Sequence, residues 1–70
     1  MNNELEMHKI FEKYYELSSI EWRKTIVGYE PLDKSIELPS GADRKTAIKI
    51  SFKNKDWIRV YRIGNKVEWY

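Results

Sequence analysis

Residues 47–70 read Ala47-Ile48-Lys49-Ile50-Ser51-Phe52-Lys53, then Asn54-Lys55-Asp56, then Trp57-Ile58-Arg59-Val60-Tyr61-Arg62-Ile63, then Gly64-Asn65 and Lys66-Val67-Glu68-Trp69-Tyr70. Ile48, Ile50 and Phe52 alternate with Lys49, Ser51 and Lys53, the two-residue period of a half-buried strand, and the alternation resumes from Trp57 to Ile63. Gly64-Asn65 is a two-residue hairpin turn of the primed kind. It sets Arg62 opposite Val67, Tyr61 opposite Glu68, Val60 opposite Trp69 and Arg59 opposite Tyr70.

The turn through Lys53–Asp56 decides which side chains share a face. A three-residue loop of Asn54, Lys55 and Asp56 puts Ile48, Ile50, Phe52, Ile58, Val60, Val67 and Trp69 on one side. Lys49, Ser51, Lys53, Trp57, Arg59, Tyr61 and Tyr70 then fall on the other. A two-residue loop would move Trp57, Arg59 and Tyr61 to the isoleucine side, because a slip of one residue reverses every side chain of the partner strand. The three-residue loop is favoured, since it leaves fewer charges facing the interior.

Upstream, Asn3 and Glu6 have the spacing of a capping box and open a helix that runs to about Leu17. At 100° per residue, Met7, Ile10, Phe11, Tyr14 and Leu17 form one stripe, with Lys9, Glu12, Lys13 and Glu16 opposite. Ser18-Ser19 ends it. Ile20, Trp22, Ile26, Val27 and Tyr29 are β-branched or aromatic, so 20–29 reads as a strand, with a bulge or bend where the period slips at Ile26-Val27-Gly28. Ser35–Leu38, between Pro31 and Pro39, is at most a short edge strand, and Pro39–Arg44 is an exposed loop. The expected fold is α+β over a single domain, residues 1–70. One amino-terminal amphipathic helix packs on one face of an antiparallel sheet of three or four strands in an α-β-β-β-β meander.

Seventy residues leave no interior for a second domain. A chain of this size buries only about 60% of its unfolded surface, and small domains often add a disulfide, a metal or a second subunit. Cysteine is absent and His8 is the single histidine, so no disulfide, structural metal or cofactor is expected. Three Trp, five Tyr and two Phe supply large apolar groups instead, leaving aromatic packing or self-association as the source of stability. The opening Met-Asn-Asn-Glu-Leu-Glu has neither the basic nor the apolar region of a secretory signal, and no apolar run is long enough to span a bilayer. The expected location is cytoplasmic, with no membrane partner. The net charge of +2, from 13 basic and 11 acidic residues, is too balanced to predict phosphate binding by itself.

Glu4, His8 and Glu12 lie four apart along the helix, the spacing of an acid–base or metal cluster. His8 sits at the border of the apolar stripe, where a solvated rim residue belongs, and that is the reading adopted. Ser40-Gly41-Ala42-Asp43-Arg44-Lys45-Thr46 echoes a phosphate loop but has Arg44 where glycine must precede the lysine, and a strand is expected to follow. It reads as a surface turn. No catalytic residues are assigned, and the chain is expected not to be an enzyme.

The outward face holds the binding candidates: Lys49, Lys53, Trp57, Arg59, Tyr61, Lys66 and Tyr70, with Glu68 the one acidic residue among them. Trp, Tyr and Arg concentrate binding energy at protein interfaces. The first expectation is therefore a protein-interaction module of adaptor or inhibitor type. The alternative is a small nucleic-acid binder, with Trp57, Tyr61 and Tyr70 stacking bases and Lys49, Lys53, Arg59 and Lys66 meeting phosphates. The same cross-strand pairs would also stabilise a sheet without any ligand. Finally, the strand ending in Trp69-Tyr70 stands at a sheet edge, open to a partner strand or to a homodimer, unless the strand starting at Ile20 covers it.

Overall fold

The computed structural model describes residues 3–70, so Met1 and Asn2 of the segment read for a leader fall outside it. Helix α1 (Asn3–Leu17) is followed by a short helix α2 (Ile20–Arg23) and strand β1 (Ile26–Pro31). After a long connection come a single 3-10 turn (Arg44–Thr46), β2 (Ile48–Phe52), β3 (Trp57–Ile63) and β4 (Lys66–Trp69). The strands form one antiparallel sheet in the order β1-β2-β3-β4, the expected meander, with α1 on one face. Among the described residues no helix is long and apolar enough to cross a membrane.

The core follows from two periodicities meeting. Ile10 and Tyr14, one helical turn apart, lie against Ile48, Ile50, Phe52 and Val60, with Met7, Phe11, Ile26, Tyr29, Ile58 and Val67 around them. Ile10, Ile48, Ile50 and Val60 are wholly buried, each contributing roughly 1.5–3 kcal/mol of transfer free energy. Leu17, assigned to the same stripe, is instead exposed, because it lies at the end of α1 where the chain turns away. The Glu6 carboxylate does not reach back as a capping box requires. It turns to Lys9 Nζ at 3.7 Å and Arg62 Nη1 at 3.3 Å.

The strand expected from Ile20 begins only at Ile26. Ser19 Oγ accepts the Trp22 backbone N–H at 3.1 Å and caps a new helical turn. Arg23 then donates to the carbonyls of Tyr15 and Glu16 at 2.7 and 3.2 Å, satisfying groups that the end of α1 leaves open. This local hydrogen bonding outweighs the β propensity of Ile20 and Trp22. The slip near Gly28 is a bulge, as expected: Ile26 pairs with Phe52 and Gly28 with Ser51, leaving Val27 unpaired and exposed.

The β2–β3 connection has three residues, but they are Lys53, Asn54 and Lys55 rather than Asn54–Asp56. Phe52 N–H donates to Asp56 O at 2.9 Å and Lys55 N–H to Phe52 O at 3.0 Å, closing a turn in which Lys55 has φ +73°. Ile50 therefore pairs with Ile58 and Ile48 with Val60. Shifting the loop by one residue moves the pairing by two and keeps every side chain on its expected face. In the second hairpin Gly64 has φ +59°, the positive first position of a primed turn, and the pairs Tyr61–Glu68 and Val60–Trp69 form as expected.

Ser35–Leu38 is not a strand. Asp33 Oδ1 accepts the Ser35 N–H at 2.8 Å in an Asx turn, and the carbonyls that a ladder would use go to arginines instead. Arg44 donates to Lys34 O at 3.1 Å and to Ile36 O, and Arg59 donates to Glu37 O at 3.4 Å. These bonds hold the connection over the outward face of the sheet.

Candidate functional site

Alternation along β3 brings Trp57, Arg59 and Tyr61 to the outward face, and the β3–β4 register adds Tyr70, whose backbone exchanges both hydrogen bonds with Arg59 at 3.0 and 3.1 Å. The Arg59 guanidinium carbon lies 4.4 Å from the Tyr70 ring centre and 5.0 Å from that of Trp57. Lys49, directly opposite Arg59 on β2, puts Nζ 5.0 Å from the same Trp57 ring. Tyr61 meets Tyr70 edge-on at 6.1 Å. The result is a row of rings and cations that are already in contact before any ligand arrives.

Tyr61 belongs to this row in sequence, yet it is only 3% exposed, so its face is not open as the alternation implied. Tyr70, set edge-on against its ring, contributes to that burial. Burial, aided by the nearby Glu68 carboxylate and Tyr70, pushes the Tyr61 phenol above its ordinary value, and Arg59 opposes the shift in part. Lys53 stands exposed on the β2–β3 loop and Lys66 at the tip of the β3–β4 hairpin, both outside the row. Of the seven sequence candidates, the structure thus brings together Lys49, Trp57, Arg59 and Tyr70, with Tyr61 behind them.

Arg59 is the unusual member. It makes no ion pair among the described residues, and its Nε is buried without a hydrogen-bond partner. The one hydrogen bond of its side chain among the described residues is donated by Nη1 to the Glu37 carbonyl. The guanidinium lies over two rings and lacks a carboxylate, and its forked N–H donors are of the kind that match carboxylate geometry. Lys49 is partly neutralised by Glu30, 4.0 Å away.

The helix cluster behaves as a rim. His8 Nδ1 lies 3.0 Å from the Tyr29 hydroxyl and Nε2 lies 3.7 Å from Glu12, which ties α1 to β1 through an exposed imidazole. The described residues contain no group of three metal-binding side chains. At the phosphate-loop echo, Asp43 accepts from Lys45 N–H at 3.0 Å and from Thr46 Oγ at 3.2 Å. A carboxylate occupies the position a phosphate would need, and a 3-10 turn precedes the next strand.

A second cluster was not visible in the linear sequence. Lys9 and Lys13 of α1, Arg62 of β3 and Lys66 of β4 line one groove of about 610 Å³ together with Gly64, Asn65, Val67 and Glu68. The signals that could have found it are the helical spacing of Glu6, Lys9 and Lys13 and the inward parity of Arg62 on β3. Comparison of the chain with protein-family models, with characterised proteins and with solved structures gives no match.

Proposed function

We propose that this domain is a non-enzymatic protein-interaction module, of adaptor or inhibitor type, that binds an acidic segment of a partner protein on its outward face. The observation that carries it is the Arg59 guanidinium, stacked on Trp57 and Tyr70 and lacking a carboxylate of its own. A partner carboxylate supplies the ion pair that Arg59 lacks within the described residues, Lys49 adds a second cation, and Tyr70 and Trp57 supply apolar contact around the pair. Base stacking by this face is less well supported, since cations already lie over the Trp57 ring and Tyr61 is buried. No catalytic role falls to His8. Its cysteine-free composition suits a reducing compartment, and we place the protein in the cytoplasm.

The test is capture from lysate with wild-type protein, Arg59→Ala, Trp57→Ala and the distant control Lys13→Ala, each checked for fold by circular dichroism. The expected result is one acidic partner retained by wild type and Lys13→Ala and lost, by tenfold or more in measured affinity, from the other two. Equal capture by all four would remove this reading.

A homodimer has its own support, because β1 pairs with β2 and leaves β4 at the edge of the sheet. Arg59 and Tyr70 form a bonded pair, so alternation turns the N–H and C=O groups of Val67 and Trp69 outward. Antiparallel pairing centred on Val67 would set Lys66 across from Glu68 of a second copy. Sedimentation equilibrium distinguishes the cases: single charge reversal at Lys66 or Glu68 weakens such a dimer, and reversing both restores it.

A further inference from the structure

We infer that the groove between α1 and the β3–β4 hairpin is a binding site for phosphate groups, separate from the outward aromatic row. Four cations line it: Lys9, Lys13, Arg62 and Lys66. Against them stand Glu68 on the lining and Glu6, which bridges Lys9 and Arg62. The chain carries 13 basic and 11 acidic residues, so with these four and two set aside, nine of each remain. The whole net charge of +2 therefore resides at this groove, while the rest of the surface is balanced. Lys13 and Lys66 form no ion pair among the described residues.

The lining determines the class of ligand. It contains no aromatic ring and one aliphatic side chain, Val67, so nothing there stacks a base or holds a hydrophobic group. Recognition falls to charge and to N–H donors: three ammonium groups, which suit phosphate as point charges, and one guanidinium able to bind two phosphate oxygens. The Gly64-Asn65 turn lies at the same end and brings backbone groups to it. A ligand with several closely spaced phosphates satisfies this set, whether a free oligophosphate or the backbone of a single nucleic-acid strand. Each cation that neutralises a strand phosphate contributes about −0.7 to the slope of log affinity against log salt. Three to four contacts thus predict a slope between about −2 and −3.

The test is titration of ¹⁵N-labelled protein with inorganic tripolyphosphate and, separately, with a short oligothymidylate at low salt. The expected result is that both shift the amides of Lys9, Lys13, Arg62, Gly64 and Asn65, and that tripolyphosphate displaces the strand. The double variant Lys13→Glu with Lys66→Glu changes two exposed side chains that take no part in the core. It should lower affinity at least tenfold for both probes, while Glu6→Gln, which frees Arg62 and Lys9, should raise it. Arg59→Ala should leave binding unchanged. Absence of groove shifts with both probes, or affinity unaltered in the double variant, would overturn the site. A strand that binds but is not displaced by tripolyphosphate would overturn phosphate as the group recognised.

Discussion

Val60 and Tyr61 are neighbours on β3 and almost equally buried, at 0% and 3% exposure, but they are buried by different things. Val60 points under α1 into the aliphatic cluster of Ile10, Ile48 and Ile50. Tyr61 points the other way, against Tyr70, on the face where Arg59 holds the Glu37 carbonyl of the long connection. Secondary-structure elements closing on each other cover one face. Side chains and a loop cover the other. The first arrangement is built from contacts that cannot open singly, whereas the second can give way locally to a partner.

The largest expected effect tests that division directly. Ile50→Ala removes a wholly buried side chain between α1 and the sheet and should cost about 2–5 kcal/mol in urea unfolding. Trp57→Ala, on the half-covered face, should cost less, about 1–2 kcal/mol, since only part of its area leaves water on folding. Equal losses would mean that the outward face is a second core rather than a surface held ready for binding.

Alkaline pH separates the faces next. The Tyr61 phenol has its folded value raised above the ordinary value of about 10 by burial, so the folded state favours the neutral form. Its contribution is fully present below about 10 and is lost as the pH rises from there through the folded value, because the folded state then binds more protons than the unfolded. Melting temperature should fall more steeply above about pH 10 for wild type than for Tyr61→Phe. Identical profiles would show that Tyr61 is not sealed. Asp33 has the opposite sign: hydrogen bonds from Ser35 hold its carboxyl below the ordinary value, so its contribution is present above that value and is lost on acidification.

Much of this was legible from sequence, for a physical reason. Helix α1 and strands β2, β3 and β4 carry strict periodicity over whole elements, and period alone fixes which side chains share a face. Segment 20–25 reads as strand because Ile20 and Trp22, taken together with Ile26, Val27 and Tyr29, outvote one serine. A cap is a single hydrogen bond from Ser19 to the Trp22 N–H and leaves no periodic trace. The outward row was legible as a set of residues, but the burial of Tyr61 was not, since alternation says which face a side chain takes and not what lies over it. The basic groove was hidden for the opposite reason, two of its cations coming from α1 and two from the β3–β4 hairpin at the other end of the chain. Ser19→Ala should therefore cost about 1 kcal/mol, and a fraying α2 would free Arg23 from the end of α1.

The smallest effect concerns the turn that holds the two faces apart. Lys55 is the one non-glycine residue with positive φ among those described, at +73°, where a side chain crowds the backbone. Asn54 and Asp56 close around it, with the Asp56 N–H donating to Asn54 Oδ1 at 3.0 Å. Among the described residues nothing gives the Lys55 side chain an ion-pair partner. Lys55→Gly removes the crowding but also loosens the unfolded chain, so the two effects oppose each other. The net expectation is a gain of about 0.5–1 kcal/mol. Because the loop keeps three residues, the pairing of Ile50 with Ile58 and of Lys49 with Arg59 is unaltered, and so is the outward row. Stability should rise with partner affinity unchanged. A loss of affinity without a loss of stability would place Lys55 within the binding surface, extending it from the row to the β2–β3 loop.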